Sequence, residues 1–276
     1  MVFTRRRFLG AAAMAGTAAV AGCLDDIPLV GGESDFASWI PADSVLSSDS
    51  ATVTHLDYHA VRDWPDDPLP PIGEDSMFGI LGIEESDIEG AVDIMTSSGV
   101  NSITLGSFDL SEVEAAVEDE PAELVDDYEG FDVYEWGASE FAIGEEALLF
   151  MDSYEHYIDV FVGDEPQVTD EDETWEEGVE SVGSYEMVNL EVFGDTTFQD
   201  YQEDLELLAT GVENDGDEYF SEGYYFFTDA DSAEAAFDEI EAELDEDEDL
   251  EDATLEIDGA TVVAEGSFTE FDVPGY

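Results

Sequence analysis

The chain carries 75 Asp and Glu against 4 Lys and Arg in 276 residues, and it contains no lysine. Three of the four bases are Arg5, Arg6 and Arg7, so beyond residue 22 only Arg62 faces the 75 acids. Such a chain cannot fold on networks of ion pairs. It must bury apolar surface while keeping its carboxylates wet and apart. With 43% hydrophobic and 12% aromatic residues it has the material for a core, which argues against a wholly disordered acidic protein. Phosphate neutralisation needs Lys and Arg clusters, so no nucleic-acid partner is expected; diffuse cations are. A single cysteine excludes an intrachain disulfide and a cysteine-rich metal centre.

The N-terminus reads as an address. A basic cluster precedes the uncharged, Ala- and Gly-rich run 8–22. Those 15 residues fall short of the roughly 20 that span a bilayer. Thr4, Arg5, Arg6, Arg7, Phe8 and Leu9 resemble the twin-arginine export motif, with Arg5 and Arg6 as the pair. Val20, Ala21, Gly22 and Cys23 resemble the lipobox of exported lipoproteins. Together they resemble the twin-arginine-exported lipoproteins of haloarchaea. The resemblance covers residues 1–23. It implies a signal peptide over 1–22, a lipid on Cys23, and anchoring to the outer face of the cell membrane. Two acyl chains anchor stably where one does not. Residues 23–46 then read as a flexible tether.

The acidic excess is spread over helices and loops rather than gathered in a tail, and it too resembles the proteins of extreme halophiles. At molar salt the Debye length falls to about 3 Å, so like charges must nearly touch to interact. A polyanionic calcium buffer or mineral binder is the alternative reading of the same charge.

Behind the tether, strands are expected at 52–61, 101–108, 131–136, 141–143, 147–151, 187–193, 223–228, 253–257 and 260–264. Asp258-Gly259 supplies the last hairpin turn. Prolines 65, 68, 70 and 71 enforce a loop. Helices are expected at 86–96 (capping box Ser86/Glu89), after Ser111/Glu114, around Tyr154 to Phe161, near Trp175 and Val179, and after Asp231/Glu234. The most regular helical stripe is Phe198, Tyr201, Leu205, Leu208 and Val212, behind Thr196/Gln199. The expected fold is α+β, with antiparallel or mixed sheets and helices packed on one face. Strand, helix, strand, helix, strand, strand recurs, and Glu114-Ala115-Ala116-Val117 matches Glu234-Ala235-Ala236-Phe237. This suggests an internal duplication: a first unit at 47–164, an acidic connector at 165–184 and a second unit at 185–276.

Chemistry is sparse. On a strand, His55, Asp57 and His59 would share one face and could offer a metal two imidazoles and a carboxylate, though i and i+4 lie about 13 Å apart there. A solvated polar face explains the same alternation. His156 reads as a core-edge histidine rather than a general base. No Gly-x-Ser-x-Gly elbow and no phosphate-binding glycine loop occurs, so no cofactor is expected. Asp215-Gly216-Asp217 and Asp229-Ala230-Asp231 lack the spacing of a calcium loop. Tyr224 to Phe227 reads as sheet packing before it reads as a sugar platform. The expectation is a non-catalytic structural or binding protein of the cell envelope. A secreted carboxylate- or metal-dependent hydrolase, or a solute-capture protein for a transporter, is the alternative.

Overall fold

The computed structural model describes residues 36–269 except 63, 65–75, 119–121, 138, 152, 194–203, 217 and 247–249. Arg5, Arg6, Cys23, the four loop prolines and the capping pair Thr196/Gln199 with Phe198 and Tyr201 lie outside the described residues.

The fold is α+β. Among the described residues, twelve strands form one antiparallel sheet: β1 (Ala51–Asp57), β2 (Ile88–Thr96), β3 (Gly99–Gly106), β4 (Ala122–Tyr128), β5 (Phe131–Trp136), β6 (Ser139–Ile143), β7 (Ala147–Phe150), β8 (Met187–Val192), β9 (Leu205–Asn214), β10 (Tyr219–Phe227), β11 (Glu251–Asp258) and β12 (Thr261–Phe268). Their spatial order is β11-β12-β10-β9-β8-β1-β2-β3-β7-β6-β5-β4. The helices are α1 (Ala42–Leu46), α2 (Tyr58–Val61), α3 (Met77–Ile80), α4 (Leu110–Val117), α5 (Tyr154–Phe161), α6 (Val168–Glu171), α7 (Glu173–Val182) and α8 (Ala230–Glu246).

Helices cover both faces, not one as expected. On the first face Val53, Ile94, Ile103, Leu149, Leu190 and Leu207 pack with Trp39, Tyr157, Ile158 and Trp175 from the helices. On the second, Leu56, Ile88, Phe141, Leu148 and Met187 meet Val61, Leu81, Val113 and Val117, while Leu205, Phe227 and Val262 meet Ala233, Ala236 and Ile240 of α8. Each fully buried Leu, Ile or Val contributes about 1.5–3 kcal/mol. Val53, Val92, Ile94, Val188, Leu190 and Leu207 in the middle of the sheet are all at 0% exposure, as are Phe141, Ile143 and Leu149 on β6 and β7.

Two-sided burial explains the two misread strands. Residues 86–96 form a short 3-10 turn and then β2, and the stripe Leu205, Leu208, Val212 belongs to β9. A strand packed on both faces carries apolar residues next to one another, which blurs the period of two and can imitate 3.6. The cap expected at Ser86/Glu89 sits two residues earlier, where Glu84 and Asp87 form a capping box. For α4 the cap is Asp109, whose carboxylate accepts from the Ser111 and Glu112 amides; for α8, Asp229 accepts from Ser232 N. The acidic β4 was not anticipated.

The unit boundaries also move. Residues 36–46, read as tether, bury Phe36, Trp39, Ile40 and Val45, and residues 165–184, read as connector, bury Val168, Trp175 and Val182. The two segments pair through a Pro41–Gln167 bridge, with Val168 N donating to Ile40 O at 2.9 Å and Ala42 N to Pro166 O at 3.2 Å. Residues 47–164 and 185–276 are not separate sheets, because β1 and β8 pair from Ala51↔Val192 to Leu56↔Met187.

The order of elements repeats, with boundaries other than those expected. Outward from the β1–β8 pair, each half has a three-strand meander, then a helix (α4 or α8), then strands that return from the edge to pair with the third strand of the meander. Each half also opens with the bridging residue, Pro41 or Gln167, and a short helix. Val117 is buried beneath its sheet, whereas Phe237 is half-buried and Ala236 and Ile240 take the core positions of α8. The final hairpin forms, but its loop is Gly259-Ala260, one residue on from the expected Asp258-Gly259, because Asp258 pairs with Thr261; Gly259 has φ +65°, which an L side chain resists.

Candidate functional site

With so few cations, carboxylates find other donors. Trp64 Nε1 donates to Glu186 Oε2 at 2.6 Å, Tyr128 Oη to Asp159 Oδ1 at 2.7 Å, and Ser107 Oγ to Glu89 Oε1 at 3.0 Å. The Asp159 bond, ahead of smaller contributions from burial and neighbouring charge, pushes the Tyr128 phenol up to about 12. On β10 and its flank, Glu222 accepts from the Tyr185 hydroxyl, and it stands opposite Glu265 of β12. Tyr185 and Tyr224 are pushed far up, first by burial and then by their hydrogen bonds to Glu222. Gly211 makes the contact possible, since a Cβ there would lie 2.3 Å from the Tyr185 ring. Burial, then Glu186, Asp215 and Glu222, raise the Glu213 carboxyl. These phenols give the carboxylates hydrogen-bond donors without neutralising their charge.

The three histidines separate. His55 is 1% exposed, stacks on Phe36 at 4.8 Å and 11°, and leaves Nδ1 buried without a hydrogen-bond partner among the described residues. Burial lowers its pKa to about 4, against the opposing charge of Asp57. Asp57 instead caps α2, accepting from the His59 amide at 2.9 Å and Ala60 N at 3.2 Å, and His59 lies exposed on that helix. Strand β1 ends at Asp57, so the three side chains do not share a strand face. Among the described residues no group of three or more His, Cys, Asp or Glu is arranged to hold a metal ion.

His156 on α5 has more neighbours than the sequence suggested. Its Nδ1 meets Glu165 Oε2 at 2.5 Å, and its Nε2 meets Asp43 Oδ1 at 2.8 Å and Ser44 Oγ at 3.2 Å. Serine, imidazole and carboxylate in that order are the parts of a nucleophile array. Here Nε2 is nearer the Asp43 carboxylate, at 2.8 Å, than the Ser44 hydroxyl, at 3.2 Å, so the imidazole is not aimed at the serine alone. The ring clamps α1 to α5 and the turn after it.

One concavity among the described residues lies where β7 ends. The β3–β7 ladder runs from Leu105↔Ala147 to Ser102↔Phe150 and stops; the β6–β7 ladder has only Ile143↔Leu148 and Ala142↔Leu149. Beyond these pairs, residues 99–101 of β3 remain paired with β2 and residues 139–141 of β6 with β5. Val100, Asn101, Ser139, Glu140, Phe150 and Met151 line a cleft of about 410 Å³ there. Val100 is 59% and Phe150 41% exposed, and Met95, directly opposite Val100 on β2, is 51% exposed. Asn101 is held from behind, its Nδ2 donating to Tyr157 Oη at 2.6 Å. No residue pattern announces this site.

No protein-family model and no curated protein matches the chain. Solved structures do. Crystal form III of TP0453 has a TM-score of 0.53 at 12% identity, over 87% of this chain and 94% of that one. Crystal form IV of TP0453 gives 0.53 at 11% identity over 85% and 94%, and form I gives 0.50 at 11% over 86% and 93%. At these identities the likeness is one of fold.

Proposed function

We propose that this is a lipid-anchored extracellular protein of a halophile, with a non-catalytic binding or structural role in the cell envelope. The observation that carries the reading is the ordered set Arg5, Arg6, an uncharged run and Cys23 in the first 23 residues. The 75 carboxylates support the halophilic part. A binding role is supported by a broad sheet with a concavity in which the apolar Val100, Phe150 and Met151 stand beside the polar Asn101, Ser139 and Glu140.

Fractionation tests the address. Cys23→Ser should release the protein from membranes or leave the precursor unprocessed, and Arg5→Lys with Arg6→Lys should block export. Unchanged mass and unchanged membrane retention in Cys23→Ser would remove the anchor from the reading.

A further inference from the structure

We propose that the stack of Phe36 on His55 is an acid-operated latch: protonation of the imidazole frees residues 36–38 from the sheet while the fold behind them stays closed. The latch goes beyond the binding role above and does not depend on it. On the anchored reading, an open latch lengthens the tether.

His55 lies on β1 between Val92 of β2 and Val188 of β8, its partners in register. Its cover is Phe36, at the start of a 3-10 turn over Phe36–Trp39, with the two rings nearly parallel and 4.8 Å apart. An apolar ring suits a neutral imidazole. The charged imidazole carries a proton on each nitrogen, and Nδ1 has no hydrogen-bond partner among the described residues. Burying that charge without an acceptor is costly, whereas water solvates it freely.

The groups around the ring do not supply the missing charge. Phe36, Ala37, Ser38 and Trp39 are not ionisable, nor are Val92 and Val188. Asp57, two residues along β1, favours the proton by its charge, but its carboxylate is turned to α2, where it accepts from the His59 and Ala60 amides. Glu186, just ahead of β8, accepts from Trp64 Nε1 and the Asn214 amide. Burial outweighs Asp57 and holds the closed ring at about 4. An uncovered ring takes its proton from about pH 6.5 downwards, so falling pH between those values drives opening and rising pH reverses it.

The segment can open there and stop. Trp39 stacks on Phe161 at 4.0 Å and 7°, and Ile40 O accepts from Val168 N at 2.9 Å, so the chain is fastened from Trp39 onwards. Ahead of that point the turn is closed by Ile40 N donating to Ala37 O at 3.0 Å. Lifting Phe36 unwinds this one turn and admits water to His55, and the Pro41–Gln167 bridge stays paired.

The test is residue-resolved amide exchange on the full protein in molar KCl, read as protection factors so that the intrinsic pH dependence of exchange drops out. The Ile40 amide reports the turn, and the Val168 amide reports the pairing behind it. From about pH 7 to about pH 4.5, protection of Ile40 relative to Val168 should fall by about tenfold or more. The His55 ring protons should lose the ring-current shift of Phe36 over the same range. In His55→Leu the Ile40 to Val168 ratio should not change with pH. An unchanged ratio in the unmutated protein would overturn the latch without any variant. So would an equal fall in His55→Leu, or a His55 ring that gains its proton and keeps its stack on Phe36.

Discussion

The two halves of the sheet share one order of elements and differ at one place. In the second half, β12 pairs with β10 from Phe226↔Thr261 to Tyr219↔Phe268, closing the sheet with a single hairpin. In the first half that hairpin has become a four-strand meander, β4 to β7, and the strand that docks on β3 is only four residues long. After β7, Met151 and Tyr154 are buried on the first face with Tyr157 and Ile158. An added hairpin thus widens one half. The difference teaches that the cleft where β7 ends goes with strand length rather than with catalytic side chains or a dedicated loop.

Several experiments would break or sharpen that comparison. The largest effect is expected from salt. Lowering molar KCl to millimolar leaves the carboxylate repulsion unscreened and should unfold the protein by circular dichroism. Because β1 and β8 join the halves in one sheet, the loss should be one cooperative transition. Two separated transitions, or a folded spectrum in low salt, would break the picture of a single salt-dependent sheet.

Next come the paired helices. Ile240 of α8 is fully buried, and Ile240→Ala should cost about 2–5 kcal/mol in urea unfolding at high salt. Val113 on α4 is 2% exposed but smaller, and Val113→Ala should cost about 2 kcal/mol, since roughly two methylene equivalents leave the core. A negligible loss at either position would mean that the two helices are not equivalent covers for their halves.

His55 sharpens the view of the seam. Its pKa is lowered from 6.5 to about 4, so between those values the unfolded chain binds the proton and the folded one does not. Its contribution to pH dependence is therefore lost stability as pH falls from 6.5 towards 4, on the order of 3 kcal/mol in all. Carboxylate protonation in the same range acts on every variant, so the readout is the difference between the protein and His55→Leu. That difference should shift in favour of the leucine variant as pH falls. A pH-independent difference would show that the ring is not buried against Phe36.

The smallest effect is expected at His156. Its partners Asp43 and Glu165 are 78% and 43% exposed, so His156→Gln should cost no more than about 1 kcal/mol. A loss of several kcal/mol would place the clamp at the centre of the fold rather than on its rim.

The sequence was legible where burial is one-sided or where turns are explicit. The strands after Gly130, Gly137 and Gly144 and the hairpin at Gly259 could be read, as could the amphipathic helices α5 and α8. The same strand of each half, β2 and β9, was misread as a helix, because both lie between helical layers and carry adjacent apolar residues such as Ala91-Val92 and Leu207-Leu208. Residues 36–46 and 165–184 looked like linkers because their few anchors, Trp39, Val45, Val168 and Trp175, sit among polar and acidic neighbours. The cleft could not be read at all. It depends on where β3, β6 and β7 end relative to one another, and no local pattern encodes that difference.

The most direct test of the unequal duplication is residue-resolved amide exchange in molar salt, without ligand. Slow exchange is expected across β1, β8 and their neighbours β2 and β9. It should also extend over 219–221 and 266–268, where β10 and β12 close the second half. Rapid exchange across the β1–β8 seam, or at 219–221 and 266–268, would contradict one sheet built from two unequal halves.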